Sequence, residues 1–198
     1  TGLTIATSNW DRSHSFIDKN FGFRPYFKDA KQRGEGRYFA LGTTSRQRGY
    51  YFSHAVGLSN KFAGVIVIKI NLADIETAWS NRGDDFLITD EDGIIFLSTQ
   101  SNWTYRSMQP IPLERLVKIK QSRRYAGESI QTLNSPKIEN QLTNQNQLNI
   151  QERNEKKPRL YLHYQQAMPI AGWTIHILTD TQRVNDSVIL RTALATLA

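Results

Sequence analysis

The stretch Gly64-Val65-Ile66-Val67-Ile68-Lys69-Ile70-Asn71 constrains this chain more than any other. Valine and isoleucine fill every position from Val65 to Ile70 except Lys69, and such stiff, β-branched side chains pack well on a pleated surface. It therefore reads as a strand. Two strand-like runs precede it, Arg37 to Thr44 and Gly49 to Val56, joined by the polar Ser45-Arg46-Gln47-Arg48, which is a hairpin signature. Ahead of these, Pro25 can open a helix with Tyr26 to Arg33 in its turns and Gly34-Glu35-Gly36 at its end. The expected order is helix, hairpin, third antiparallel strand.

The rest of the chain reads in the same way. Leu3-Thr4-Ile5-Ala6-Thr7 alternates at period two, which predicts a strand, and a helical stretch is expected around Ser15 to Lys19. Leu72 to Trp79 turns helical and Asn81-Arg82-Gly83 breaks it. Asp85 to Thr89 and Ile94 to Ser98 form a second hairpin about the turn Asp90-Glu91-Asp92-Gly93. Pro112 to Gln121 has a helical period, Asn134 to Asn149 is Asn- and Gln-rich and reads as loop, and strands resume at Arg159 to Gln165 and Trp173 to Asp180. Two α+β modules joined near Ala73 to Gly83 are expected.

With 39% hydrophobic and 22% charged residues among 198, the composition suits a folded chain. No run reaches the ~20 apolar residues of a membrane span. The absence of cysteine removes disulfides and thiolate metal sites. The net charge of +7 is scattered; its nearest cluster, Lys118, Lys120, Arg123 and Arg124, reads as a solvated face rather than a nucleic-acid groove. The chain opens on Thr1-Gly2-Leu3 and stops inside an amphipathic pattern, Val184 to Ala198, as a piece of a longer protein would.

For chemistry, the stretch Phe21-Gly22-Phe23-Arg24-Pro25-Tyr26-Phe27 sets one permanent cation among four aromatic rings. A guanidinium there matches a carboxylate two bonds at a time; the other reading is a surface arginine beside ordinary core rings. Lys69 shares a strand face with Val65, Val67 and Asn71, and is either a cation on a binding wall or a strand-end lysine whose head reaches water. Thr43, Thr44 and Ser45 offer hydroxyls that suit carboxylate oxygens, and equally suit a hairpin turn. His14, His54, His163 and His176 lack metal-ligand spacing, and neither a Gly-x-Ser-x-Gly elbow nor a phosphate-binding glycine loop is present.

Several strings carry a resemblance: Gly2-Leu3-Thr4-Ile5-Ala6 with Ser8-Asn9-Trp10; Asn20-Phe21 with Phe23-Arg24-Pro25-Tyr26-Phe27; Gly36 through Ser45 with Gly49-Tyr50-Tyr51; then Val67-Ile68-Lys69, Thr89 through Gly93, and Trp173. Across nearly its whole length the chain resembles the extracytoplasmic sensor region of bacterial C4-dicarboxylate sensor histidine kinases of the DctB type. The resemblance implies an α+β fold of two tandem PAS-like modules (double Cache), each a central antiparallel sheet flanked by helices, with the long N-terminal helix largely absent from this sequence. Residues 1–80 would be the membrane-distal, ligand-binding module, 81–182 the membrane-proximal one, and 183–198 the start of a helix leading toward a membrane span.

It further implies a periplasmic domain that detects succinate, fumarate or malate and regulates dicarboxylate uptake, or alternatively a Cache module of a chemoreceptor or kinase for another small carboxylate. Such a domain does no catalysis and needs no cofactor itself. The parent would be an ATP-dependent kinase in the inner membrane of a Gram-negative bacterium, homodimeric, signalling to a response regulator and not to nucleic acid. Amino-acid-sensing relatives grip an α-carboxylate with an Arg and an aromatic two residues on, matched by Arg24 and Tyr26, and hold the ammonium with an aspartate where this chain has Lys69. That exchange favours a second carboxylate. The implied ligand set is Arg24, Lys69, Thr43, Thr44 and Ser45, with Tyr26, Tyr38 and Tyr51 as walls or single hydrogen-bond partners and Phe21 where relatives often carry tyrosine.

Overall fold

The computed structural model describes residues 1–42, 47–58, 61–80, 83–133, 137–139, 146–151 and 157–183. In chain order its elements are α1 (Pro25–Arg33), β1 (Glu35–Leu41), β2 (Arg48–Leu58), β3 (Lys61–Asn71), α2 (Ala73–Trp79), β4 (Asp85–Thr89), β5 (Ile95–Ser98), β6 (Arg106–Ser107), α3 (Leu113–Ser122), β7 (Gln131–Thr132), β8 (Lys137–Glu139), β9 (Asn146–Ile150), β10 (Arg159–Met168) and β11 (Trp173–Asp180). The fold is α+β, with antiparallel main sheets and few helices.

The chain divides into two compact units. The first holds Thr1–Asp74 together with Pro112–Glu128; the second holds Ile75–Ile111 and the described residues from Ser129 on.

In the first unit, β1, β2 and β3 form an antiparallel sheet in that order. Helix α1 starts where Pro25 has no N–H to leave unpaired, while the preceding Arg24 is extended at φ −69° and ψ 138°, as a residue before proline must be. It stops at Gly34, whose φ of 89° a side chain would resist and whose N–H closes on the Ala30 carbonyl. Tyr26 and Ala30, four residues apart, form its buried stripe. Buried Ser53 of β2 pins the helix to the sheet, its Oγ lying 2.7 Å from the Tyr26 carbonyl and 3.0 Å from that of Gly36.

The sheet register aligns three of the residues expected at the site. Tyr38, Tyr51 and Lys69 stand directly opposite one another across β1, β2 and β3, and the next row on that face is Ala40, Gly49 and Asn71. The other face carries Ile66, Ile68 and Ile70, all exposed, beside the edge-to-face pair Tyr50 and Phe52.

The second unit is built on a six-stranded sheet ordered β5-β4-β11-β10-β9-β8. Its core gathers Leu87, Ile95, Trp103, Leu133, Leu148, Ile150, Tyr161 and Leu178. Each such aliphatic side chain contributes about 1.5–3 kcal/mol on burial. The Asp90 turn is held as a hairpin turn should be: Asp90 Oδ1 accepts from the N–H groups of Asp92 and Ile94, and Gly93 takes φ 71°.

Four expectations are corrected. Leu3 to Thr7 is not a strand: Leu3 makes one isolated bridge to Asn20, while Ile5 is 88% exposed, so the alternation has no partner to pair with. Ser15 to Lys19 forms turns rather than a helix. Part of the expected Asn134–Asn149 loop is strand, because β9 pairs Leu148 with Tyr161 and buries it. Finally, Pro112–Glu128, expected in the 81–182 module, packs with the first unit, where Leu41 N donates to the Arg124 carbonyl at 2.8 Å and Phe39 meets Tyr125 at 5.8 Å between ring centres. The units divide between Asp74 and Ile75, within α2, inside the Ala73–Gly83 stretch and a few residues ahead of residue 80. The expected closing helix, 183–198, lies beyond the described residues except for Arg183.

Candidate functional site

Helix α1 and the Tyr38–Tyr51–Lys69 row meet through aromatic contact. Tyr26 stacks on Tyr51 with ring centres 5.0 Å apart and planes within 13°. Tyr26, Tyr38 and Ala40 form a buried cluster against which Phe21, Phe27 and Tyr51 pack. The three tyrosines expected at the site, Tyr26, Tyr38 and Tyr51, are therefore brought together, with Phe21 packed against them.

Arg24, one residue ahead of α1, is 3% exposed, so it is no surface arginine. Its Nη1 donates to the Arg123 carbonyl at 3.1 Å and its Nη2 to the Leu41 carbonyl at 3.4 Å, while the guanidinium carbon sits 5.0 Å from the Phe23 ring centre. The fork is fixed by β1 and by the turn after α3 together. Its charge reaches the tyrosines. Burial raises the Tyr51 hydroxyl's pKa and Arg24 pulls it part of the way back; for Tyr26, burial first and Tyr51 second push the pKa up against the same arginine.

Lys69 approaches Tyr51 from the other side of the register, its Nζ 6.0 Å from that ring's centre. Half-buried, the ammonium has its pKa lowered by desolvation, a penalty a nearby carboxylate would offset. Both cations thus act on one ring. Lys69 can lean this way because Gly49 has no side chain: a Cβ there would stand 2.5 Å from Lys69 Cε and 2.9 Å from its Cγ. Gly49→Ala is therefore expected to displace the lysine head. Because a flexible stem can yield, the thermal midpoint should stay within about 4 °C of wild type, while affinity for a ligand held by Lys69 falls about tenfold; unchanged affinity would show that the lysine's lean is irrelevant.

Thr43, Thr44 and Ser45 lie outside the described residues. Three contributors were missed by sequence reasoning: Gly49, Arg123 and Arg124. A glycine inside a strand often marks a close approach, so Gly49 was findable in principle. Arg123 and Arg124 were read as a solvated face, yet the Arg123 carbonyl holds Arg24, and the Arg124 guanidinium lies 4.9 Å from the Tyr38 ring centre. Nothing local reveals which sheet a distant turn will cap. Among the described residues no group of three or more His, Asp or Glu stands ready to hold a metal ion, and no helix is long and apolar enough to cross a membrane.

No family model matches the chain. Individual proteins do. It is 41% identical over 110 residues, 56% of its length, to the C4-dicarboxylate transport sensor protein DctB of Pseudomonas aeruginosa. It is 32% identical over 139 residues, 70% of its length, to the DctB of Rhizobium meliloti. It spans 18% and 22% of the lengths of these curated relatives. Among solved structures, the sensor domain of the V. cholerae histidine kinase DctB aligns with a TM-score of 0.80 and 34% identity, over 90% of this chain and 68% of that one.

Fold and similarity together place the chain in the class of extracytoplasmic sensor domains of bacterial signalling kinases. The chain belongs to the DctB sensor-domain family.

Proposed function

We propose that this chain is the periplasmic ligand-binding region of a two-component sensor histidine kinase and that it detects C4-dicarboxylates such as succinate, fumarate and malate. Arg24 takes one carboxylate as a fork, Lys69 takes the other as a point charge, and Tyr26, Tyr38 and Tyr51 form the wall between them. Phe21 packs on that wall without a hydroxyl to offer. Thr43, Thr44 and Ser45 keep the closing role that the resemblance implies.

One observation carries the reading: two cations from separate elements converge on one partly buried tyrosine, Arg24 directly ahead of the helix whose Tyr26 stacks on the Tyr51 ring at 5.0 Å, and Lys69 with its Nζ 6.0 Å from the centre of that ring. A lone carboxylate can satisfy one of them. A diacid of four carbons, whose carboxylate carbons lie about 4 Å apart when extended over bonds of about 1.5 Å, offers one carboxylate to each. The two units correspond to tandem PAS-like modules of a double Cache region, the first distal to the membrane and holding the ligand.

In the parent, ATP-dependent phosphorylation, an inner-membrane anchor, homodimerisation and a response regulator complete the pathway. The ligand acts by favouring one arrangement of the first unit over another through contacts made in only one of them. Calorimetric titration tests the reading. One succinate should bind per chain with saturating heat, and fumarate or malate should compete; a chain indifferent to all of these would contradict it.

A further inference from the structure

Beyond the proposed ligand set, the Tyr38–Tyr51–Lys69 row has a neighbour at its β1 end. Arg124 stands just past α3, after Arg123 has taken the left-handed conformation (φ 53°) that caps the helix. Its Nε donates to the Tyr38 hydroxyl at 3.3 Å. Its backbone is tied down as well: its N–H donates to Ser122 Oγ at 3.2 Å and its carbonyl accepts from Leu41 N at 2.8 Å. The adjacent carbonyl, that of Arg123, accepts from Arg24. One turn therefore touches two side chains of the site and is fastened to the strand that carries one of them.

A tyrosine hydroxyl has one proton and two lone pairs, and a guanidinium can only donate. Arg124 therefore occupies the accepting side of the Tyr38 oxygen, and the phenol's own proton is left for another acceptor. We infer that Arg124 is a positioning residue of the binding site: by fixing Tyr38 as a donor, it turns that hydroxyl toward a ligand carboxylate. The inference rests on the reading of this face as a carboxylate site and deepens it. A phenol whose oxygen accepts from a cation also donates more strongly to an anion. The pair thereby favours ligands with acceptor-only ends, because Arg124 takes one lone pair of the Tyr38 oxygen and leaves its proton for the ligand.

The test is a double-mutant cycle on the full 198-residue chain, with succinate as the probe and calorimetry as the readout. Tyr38→Phe removes the donor; Arg124→Met keeps the stem and removes the head. Each should weaken succinate about tenfold, the loss typical of one hydrogen bond to a charged group. The double variant should lose no more than the larger single loss, and Arg124→Lys, which restores a donor, should recover part of it. An Arg124→Met chain that binds within twofold of wild type overturns the inference, as do single losses that add in the double variant. A wild-type chain that gives no heat with succinate overturns the reading of the whole face, so the two failures are distinguishable. Thermal midpoints measured without ligand identify any variant that has lost its fold, and in that event the Tyr38→Phe and Arg124→Lys pair alone decides: both must weaken binding, the lysine variant less.

Discussion

Replacing Arg24 by alanine is expected to abolish succinate binding, by about 100-fold or more, and to destabilise the first unit at the same time. The two effects come from the same geometry. The guanidinium supplies the fork for a carboxylate, and losing a charge-assisted bidentate pair costs about 3 kcal/mol or more. It also donates to the carbonyls of Leu41 and Arg123. Leu41 is buried, so removing its donor adds a penalty of about 1–3 kcal/mol to folding. Arg24→Lys separates the roles. It keeps a cation but loses the planar fork, so affinity should still fall about tenfold or more. Calorimetry and thermal melts on both variants check this; an Arg24→Ala chain that melts earlier yet binds as wild type would make Arg24 a strut and nothing more.

The second large effect is a loss of stability in acid, and it lies in the second unit. His163 of β10 and His176 of β11 stack at 5.1 Å between ring centres, with His163 Nε2 2.9 Å from His176 Nδ1, while Thr89 Oγ1 is 3.2 Å from His176 Nε2. Burial first and His163 second lower the pKa of His176 from 6.5 to about 4. The unfolded chain therefore takes up a proton more readily than the folded one. The stability tied to this group is fully present above pH 6.5, falls as pH drops from there to about 4, and is constant below. At 1.36 kcal/mol per pKa unit the full loss is about 3 kcal/mol. Hydrogen exchange of β10 and β11 amides at pH 7 and pH 4 measures it. His176→Asn should flatten the dependence by that amount; an identical dependence in the variant would mean that the acid sensitivity belongs to other groups.

How much of this was legible beforehand follows from which forces are local. Pro25 and Gly34 bracket α1 by backbone chemistry alone, and the Val and Ile run writes β3, so both were readable. Leu3 to Thr7 shows the limit, because alternation specifies a strand only where a neighbouring strand exists to pair with it. In Asn134 to Asn149 the polar composition masked a short alternating tail, whose Leu148 points into the second unit's core and is 3% exposed.

The site divides in the same way. Arg24, Tyr26, Tyr38, Tyr51 and Lys69 were identifiable as residue types in a motif, and the sheet register brings three of them into one row. The contribution of Arg123 and Arg124 was not, since it depends on a helix nearly a hundred residues away returning to cap β1. Helical periodicity predicts that α3 exists and is silent about which sheet it joins.

The claim on which the account turns is that each of two cations holds one carboxylate. The most direct measurement sets ligand against variant: succinate and propionate titrated into the wild-type chain and into Lys69→Met. The wild type should prefer succinate by about 100-fold, the worth of a second charge-assisted contact, and Lys69→Met should bind both acids with nearly equal, weak affinity. If Lys69→Met keeps the wild-type preference for succinate, the second carboxylate is held elsewhere and the account is wrong.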